Sequence, residues 1–249
     1  MRLKNRGQLL ILDVDGVMID PCGSFENCAA MALAEMVPGL AWSDELYWKF
    51  KRIPGFNNDF RLAAAAVALF ETGEIGRLSE ALHTDFPHLE KRMDELEPYC
   101  KERLQFYYQD LKHMERPLIT LSELENIADW DAAILTGRPP EELTLAFELL
   151  GFEIPAVCDS CPEFRKPEPS GLIHLADTHK ANRVCFVGDT RDDATCLRRA
   201  REARPDLDLT FAAVNKLRHE IVQPGDLTYA TLREFIASGF LNQNRAFQL

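Results

Sequence analysis

A short apolar segment of this chain ends in two acids, and that combination restricts what it can fold into. The chain reads LLILDVDGV from residue 9 to residue 17. Side chains alternate along a β-strand, so Asp13 and Asp15 start on the same face. Two like charges at about 4 Å repel by roughly 1–4 kcal/mol, depending on the local dielectric. A bound cation, or a reaction that uses the charges, would explain why the chain tolerates this pair.

The net charge of the chain limits the kinds of partner that it can bind. The net charge is −12, from 40 acidic and 28 basic residues in a chain of 249. Such a field repels nucleic acid and anionic membranes, and the sequence holds no dense basic stripe that would override it. We therefore expect a small-molecule partner, held by local positive groups if it is anionic. The oligomeric state is left open.

The sequence also predicts a cytoplasmic protein. No apolar stretch approaches the length of a membrane span. The basic N-terminus is followed by an apolar run that is short and ends in acids, unlike a secretory signal. Seven widely spread cysteines favour reduced thiols over a disulfide framework.

Apolar runs alternate with helical patterns in most of the chain, which predicts an α/β fold with a parallel sheet in three layers. The predicted strands are residues 8–14, 132–136, 183–188 and 208–214, with a weaker candidate at 154–158. The predicted helices between them are residues 140–150, 168–179 and 191–203.

Residues 21–113 form a different region, with helical patterns and no convincing strand. Helices are predicted near residues 24–36, 43–52, 58–71, 77–83 and 89–112. The sequence therefore predicts a Rossmann-like core from residues 1–20 and 114–249, interrupted by an α-helical cap domain at residues 21–113.

Further polar groups stand where the later strands end. Thr136-Gly137-Arg138 follows the second predicted strand, Lys166 follows the weak strand, and Asp189 follows the third. Ligands of open parallel sheets bind beyond the carboxyl ends of the strands, so we expect these side chains to converge.

The order Asp-x-Asp-Gly-Val, Thr-Gly-Arg, Lys-Pro and Gly-Asp-x-x-x-Asp resembles the haloacid dehalogenase superfamily along nearly the whole chain. A helical insertion between the first two motifs is similar to the subfamily with an α-helical cap there, near the phosphoglycolate phosphatases. The resemblance implies a phosphatase for small organic phosphate monoesters. A dehalogenase is disfavoured, because Asp15 is an acid that those enzymes lack.

The resemblance implies a role for each motif residue. Asp13 would be the nucleophile that forms an aspartyl-phosphate, and Asp15 the general acid and base. Thr136 and the backbone N–H of Gly137 would bind the phosphoryl group, and Lys166 would offset its charge. The implied metal ligands are Asp13, Asp189 and the main-chain carbonyl of Asp15.

The acidic oxygen ligands suit a hard ion, which favours Mg²⁺ over zinc. Asp193 has the spacing from Asp189 that the fourth motif requires, so we assign it a supporting role at the metal. Asp192 is a neighbour with a competing claim to that role.

Two other functions stay open at this point. A sugar phosphomutase would use the same aspartate but pass the phosphoryl group to a second hydroxyl. A non-catalytic regulatory protein on this scaffold is disfavoured, because Asp13, Asp15 and Asp189 are all present. Phosphonate hydrolysis would need a buried cap lysine, and the pattern marks neither Lys49 nor Lys51 as buried.

Three minor features keep more than one interpretation. Asn57, Asn58 and Arg61 are candidates for substrate recognition by the cap, although Asn58 also suits a helix N-cap. Arg138 has a possible role at phosphate or at a substrate carboxylate, and an equal one in a surface ion pair with Glu141 or Glu142. The pair Cys158 and Cys161 lacks the further ligands of a structural zinc site.

Overall fold

A computed structural model of the protein describes residues 7–51, 53, 56–76, 86–127, 130–215 and 225–242. The chain divides into a core unit, Met1–Asp20 with Arg116–Leu249, and a helical unit, Pro21–Glu115. The second boundary lies two residues beyond the one expected from the sequence. Glu115 belongs to the helical unit, since its Oε1 accepts hydrogen bonds from Ser24 at 3.1 Å and Tyr108 at 2.9 Å.

The core unit contains a six-stranded parallel sheet, which confirms the predicted fold class. The strands in the part of the chain that the structure describes are β1 (Gln8–Leu12), β2 (Ile19–Asp20), β3 (Arg116–Pro117), β4 (Asp131–Leu135), β5 (Ala156–Val157), β6 (Arg183–Gly188), β7 (Asp208–Ala213) and β8 (Leu227–Thr228). Their order in the sheet is β5-β4-β1-β6-β7-β8, so β1 lies between β4 and β6. The weak candidate at 154–158 is a two-residue strand that begins just after Pro155.

Both faces of this sheet are buried, as the continuous apolar runs predict. Along β1, Leu10 and Leu12 belong to one hydrophobic cluster, while Leu9 and Ile11 belong to another on the opposite face. All four of these side chains are fully buried. The period of two along the strand thus divides one apolar run between two cores.

Among the described residues of the core unit, five α-helices cover the two faces of the sheet. They are α5 (Leu121–Glu125), α6 (Pro140–Leu150), α7 (Ser170–Thr178), α8 (Arg191–Ala203) and α9 (Leu232–Ala237). Residues of α5, α6 and α9 join the cluster that contains Leu10, and residues of α7 and α8 join the cluster that contains Leu9. The result is the three-layer arrangement that the sequence predicts.

Local sequence sets the ends of two of these helices. Pro140 occupies the first turn of α6, where its missing N–H costs nothing, and Gly151 ends that helix with a φ of 74°. Thr190 caps α8 in a reciprocal capping box with Asp193. The same Asp193 contributes to the site described below.

The helical unit contains α1 (Ser24–Met36), α2 (Asp44–Lys51), α3 (Asp59–Glu71) and α4 (Glu90–Leu111). No strand occurs among its described residues, and α4 packs along both α1 and α3. Four predicted helices agree with these elements to within two residues at each end. The fifth, at 77–83, falls outside the described residues.

A two-stranded antiparallel ribbon lies where the chain leaves and re-enters the core unit. Ile19 of β2 pairs with Pro117 of β3, and Asp20 pairs with Arg116. The sequence does not predict this ribbon, because two-residue strands leave no periodic pattern. It brings the two ends of the insertion side by side.

The two leucines Leu172 and Leu149 give a matched test of the buried layers. Leu172 on α7 is fully buried, whereas Leu149 on α6 is 37% exposed. Leu172→Ala should lower the free energy of unfolding by about 2–5 kcal/mol, because it removes apolar contacts and leaves a cavity. Leu149→Ala should cost less than about 1 kcal/mol. Denaturant unfolding measures both, and similar losses would contradict the layer assignment.

Candidate active site

The sheet register brings the ends of three strands together at one edge. Leu12 of β1 faces Ile134 of β4 on one side and Val187 of β6 on the other. Asp13 follows directly, and its N–H donates to the Val187 carbonyl at 3.0 Å. Thr136 and Asp189 stand two residues beyond those partners, so the sheet delivers them beside the end of β1.

Lys166 lies between two carboxylates of this edge. Its Nζ is 2.9 Å from Oδ1 of Asp13 and 2.7 Å from Oδ1 of Asp193. The Lys166 side chain is only 4% exposed. A buried ammonium needs anionic partners to offset the loss of hydration, and these two supply them. Lys166 and Asp13 are therefore held together although they are far apart in the chain.

Three acids gather closely enough to share a cation. One carboxylate oxygen each of Asp13, Asp189 and Asp193 lies within 4.8 Å of the others. Such a set of oxygen donors fits a hard divalent metal ion. Crowded carboxylates of this kind repel one another unless positive charge separates them. The donor set thus fits the metal that the resemblance implies.

Asp193 makes contacts that suit a supporting residue. Its Oδ2 accepts hydrogen bonds from the Thr190 hydroxyl at 2.7 Å and from the backbone N–H groups of Thr190 and Asp189, at 3.0 and 3.2 Å. Its Oδ1 accepts from Lys166. One oxygen of Asp193 thus holds the loop that carries Asp189, and the other holds Lys166. Asp192 is also buried but is not a member of the three-acid group.

Two glycines permit this close packing of acids. A Cβ on Gly16 would lie 1.9 Å from Oδ2 of Asp189, and Gly16 has a φ of 72°. A Cβ on Gly188 would lie 2.5 Å from the Cβ of Asp193. Neither position can hold a larger residue without moving an acid of the group.

Burial and crowding shift the proton affinities of these groups. Burial raises the pKa of Asp13 from its ordinary value of 3.8 to about 7, against the lowering effect of Lys166. Burial, followed by the charges of Asp13 and Asp193, raises the pKa of Asp189 well above its ordinary value. Burial alone would lower the pKa of Lys166, but Asp13 and Asp193 raise it overall. A divalent cation would favour the ionised form of both acids.

Asp15 contacts a different group from the one that Asp13 contacts. The guanidinium of Arg138 donates to its carboxylate, from Nη2 to Oδ1 at 2.6 Å and from Nε to Oδ2 at 3.1 Å. The sequence leaves two interpretations of Arg138, a contact with phosphate or a substrate carboxylate and a surface ion pair with Glu141 or Glu142. Its side chain is 1% exposed, so it does not lie at the surface, and it contacts Asp15.

Thr136 is buried beside this pair, and its Oγ1 accepts a hydrogen bond from the Arg138 N–H at 3.2 Å. That contact leaves the Thr136 hydroxyl proton to donate elsewhere. Gly137 is exposed in the same loop. These positions agree with the phosphate-binding roles that the resemblance implies, which stay predictions.

The three candidate recognition residues of the cap all lie in the helical unit, with partners of their own. The Asn58 side chain caps α3, accepting from Phe60 N at 2.8 Å and Arg61 N at 3.1 Å. The Asn57 carbonyl accepts from Lys51 Nζ at 2.6 Å. The Arg61 guanidinium contacts three acids of α4, which are Glu90, Asp94 and Glu97.

Other candidate groups have structural surroundings. Lys51 is largely buried and pairs with Asp59 at 2.9 Å, a burial that the sequence did not mark. All seven cysteines lie among the described residues, and none of them, Cys158 and Cys161 included, forms a disulfide. Helices long and apolar enough to cross a membrane do not occur in the described part of the chain.

Comparison with known proteins places this chain in a family. The model of the haloacid dehalogenase-like hydrolases matches residues 8–201. The protein therefore belongs to the haloacid dehalogenase-like hydrolases, which confirms the resemblance carried by its motifs. A search of curated proteins found no significant match.

Solved structures with the same fold cover nearly the whole chain. Phosphatase Tt82 from Thermococcus thioreducens is 18% identical, with a TM-score of 0.62, covering 94% of this chain and 99% of that one. A putative phosphoglycolate phosphatase from Lactobacillus delbrueckii is 17% identical, with a TM-score of 0.65 and coverage of 96% and 98%. A predicted phosphoglycolate phosphatase from Haemophilus somnus is 16% identical, with a TM-score of 0.62 and coverage of 92% and 96%. At these identities the likeness establishes the fold.

The raised pKa values predict that metal binding at this candidate site depends on pH. Asp13 and Asp189 bind protons more tightly in the folded chain than in the unfolded chain. Their contribution to metal-free stability is therefore present below about pH 4 and is lost as the pH rises, for Asp13 through about pH 7. A divalent cation binds the ionised acids, so the stabilisation it gives should grow over the same interval.

Thermal unfolding with Mg²⁺ as the probe measures this effect. The increase in Tm should be larger near pH 8 than near pH 5. It should be absent in Asp189→Asn and absent when a monovalent salt of equal ionic strength replaces Mg²⁺. An increase that is equal at both pH values, or unchanged in Asp189→Asn, would contradict a metal site at these acids.

Proposed function

We propose that this protein is a Mg²⁺-dependent phosphatase that hydrolyses small organic phosphate monoesters through an aspartyl-phosphate on Asp13. The observation that carries the proposal is the position of Lys166, whose ammonium is 2.9 Å from Asp13 and 2.7 Å from Asp193. It places a fixed positive charge beside the carboxylate that would attack. Phosphoryl transfer needs that arrangement, because negative charge spreads over the phosphoryl oxygens in the transition state.

In the first step, an oxygen of Asp13 forms a bond to phosphorus while the bond from phosphorus to the ester oxygen breaks. Asp15 gives its proton to the departing oxygen, so that an alcohol leaves rather than an alkoxide. Lys166 lies beside Asp13 and offsets charge on the phosphoryl oxygens. Thr136 and the N–H of Gly137 supply hydrogen-bond donors to the same oxygens.

In the second step, a water oxygen bonds to phosphorus and the bond between phosphorus and Asp13 breaks. The proton of that water passes to Asp15, which returns the enzyme to its starting state and releases inorganic phosphate. One side chain thus serves as acid and then as base. The exposed fraction of Asp15, 32%, gives it access to both the ester and the water.

The metal would be held by Asp13 and Asp189, with the main-chain carbonyl of Asp15 as the further ligand that the family implies. When bound, Mg²⁺ separates the negative charges of the acids and offsets those of the phosphate. We assign Mg²⁺ on ligand chemistry, because oxygen donors alone suit a hard ion that retains waters. Asp193 supports this group through Lys166 and through the loop of Asp189.

A direct assay tests the reaction. The protein with Mg²⁺ should release inorganic phosphate from an aryl phosphate, and a chelator should abolish the release. Asp13→Asn should lower kcat by more than about 10³-fold, because it removes the nucleophile. Asp177→Asn, at an acid that is 60% exposed on α7, is the matched control and should retain activity.

Two results would argue against the proposal. Phosphate release that persists in Asp13→Asn would exclude Asp13 as the nucleophile. Phosphate release that is unaffected by the chelator would exclude a role for the metal. Conversion of a sugar monophosphate into its positional isomer, with little free phosphate, would instead support the phosphomutase alternative.

We further propose, from the sequence, that Asn57, Asn58 and Arg61 contribute to substrate choice. A panel of phosphorylated metabolites first identifies the best substrate. Alanine at each position should then raise KM for it about tenfold, the value of one lost hydrogen bond, and spare a small aryl phosphate. Since Asn58 also caps α3, Asn58→Ser is the matched control, which keeps the cap but shortens the side chain. Equal losses on both substrates would contradict the assignment.

A further inference from the structure

The guanidinium of Arg138 is fixed from several sides within the core unit. Its Nη1 donates to the Glu142 carbonyl at 3.4 Å, in the first turns of α6. The backbone N–H of Arg138 donates to Thr136 Oγ1, and its carbonyl accepts from Asp159 N at 3.0 Å. Two prolines follow Arg138 directly and restrict the backbone there. Arg138 therefore presents its side chain from a rigid position.

The backbone of Asp15 is also fixed, which leaves its side chain as the variable part. Gly16 N donates to the Ile19 carbonyl at 2.8 Å, and both Met18 N and Ile19 N donate to the Val14 carbonyl. This turn holds Asp15 just beyond the end of β1. Without a further contact, the carboxylate would still rotate about its side-chain bonds.

Arg138 supplies that further contact with both oxygens of the carboxylate. The Nη2 to Oδ1 distance is 2.6 Å, the Nε to Oδ2 distance is 3.1 Å and the Nε to Oδ1 distance is 3.2 Å. A planar guanidinium with two engaged nitrogens fixes the orientation of the carboxylate plane as well as its position. The pair thus selects one rotamer of Asp15.

The two members of the pair differ in their exposure. The Arg138 side chain is 1% exposed, whereas the Asp15 side chain is 32% exposed. A ligand at the sheet edge can therefore reach Asp15, but it meets almost no surface of Arg138. This separates Arg138 from a phosphate-binding arginine, which must offer its nitrogens to the ligand.

We propose that Arg138 is the positioning residue of Asp15: it holds the proton-transferring carboxylate in the orientation used in both steps and does not contact the substrate. This inference rests on the proposed phosphatase activity and deepens it. Proton transfer contributes roughly 10²–10⁴-fold to rate, and a misplacement of about 1 Å costs about 10²-fold. Loss of Arg138 should therefore cost part of what loss of Asp15 costs.

A series of phosphate esters with different leaving groups tests the inference. The parameter kcat/KM reports formation of the aspartyl-phosphate, where a poor leaving group needs a proton and an acidic phenol does not. Arg138→Gln should lower kcat/KM for an alkyl phosphate about 10–100-fold and for a nitrophenyl phosphate less than about threefold, with KM nearly unchanged. Asp15→Asn should give the same dependence on the leaving group, with a larger loss.

The double variant and a rescue experiment separate positioning from a structural role. Asp15→Asn with Arg138→Gln should be no slower than Asp15→Asn alone, because both changes act on one function. Added guanidinium ion should restore part of the alkyl phosphatase activity to Arg138→Ala and none to Asp15→Asn. Arg138→Lys keeps the buried charge, so it serves if Arg138→Gln does not fold, and it should show the same leaving-group dependence.

Arg201→Gln is the matched control. Arg201 pairs with Asp226 at 2.8 Å and donates to the Leu209 carbonyl, near the end of α8 that is remote from Asp193. Its loss should lower Tm and leave the leaving-group dependence unchanged.

Three outcomes would overturn the inference. Equal losses on alkyl and aryl esters in Arg138→Gln would place the guanidinium on the phosphoryl group. If the loss in kcat/KM of the double variant equals the product of the two single losses, Arg138 acts independently of Asp15. Unchanged activity in Arg138→Gln would show that Arg138 does not position Asp15, and the phosphatase proposal would still stand. If the wild-type protein releases no phosphate that depends on Asp13, both proposals fail together.

Discussion

The ion pair of Lys166 with Asp13 and Asp193 is the interaction on which the rest of the site depends. Buried carboxylates are costly unless positive charge stands beside them, and this lysine supplies one charge against three neighbouring acids. The group is therefore left with a negative excess. That excess lowers the stability of the folded chain, and it is also what would attract a divalent cation. The same crowded carboxylates that lower the free energy of unfolding therefore supply the charge for binding a cation.

The packing of the sheet offsets the repulsion between these acids. Apolar side chains on both faces of β1 anchor the strand, so the backbone that carries Asp13 and Asp15 does not yield to their repulsion. Gly16 and Gly188 then allow the acids to approach where any side chain would separate them. The well-packed core and the two glycines together stabilise a cluster of acids that would be unfavourable on its own.

The fold could be predicted from the sequence where the pattern is long. The apolar runs of β1, β4, β6 and β7 and the alanine-rich α3 agree with prediction because continuous burial leaves a strong signal. Short elements leave no such signal. The strand β8, the helices α5 and α9, and the ribbon of β2 with β3 were not predicted, since few residues in each are constrained by periodicity.

At the site, the sequence could predict which residues gather but not how each one is oriented. Asp13, Lys166 and Asp189 were found because each follows a strand and the topology brings strand ends together. Arg138 shows the limit, because its contact with Asp15 joins two residues that are 123 positions apart in the chain. Pairing across that distance depends on side-chain rotamers in the folded core, which no one-dimensional pattern contains.

The ribbon at the base of the insertion has a consequence for how such a chain changes over time. Since Asp20 and Arg116 are paired across it, the helical unit enters and leaves the core at adjacent points. Its length and composition can then vary without stretching the sheet or shifting the register of β1. Selection can alter the helical unit of such a protein while the sheet and the acids at its edge are inherited intact.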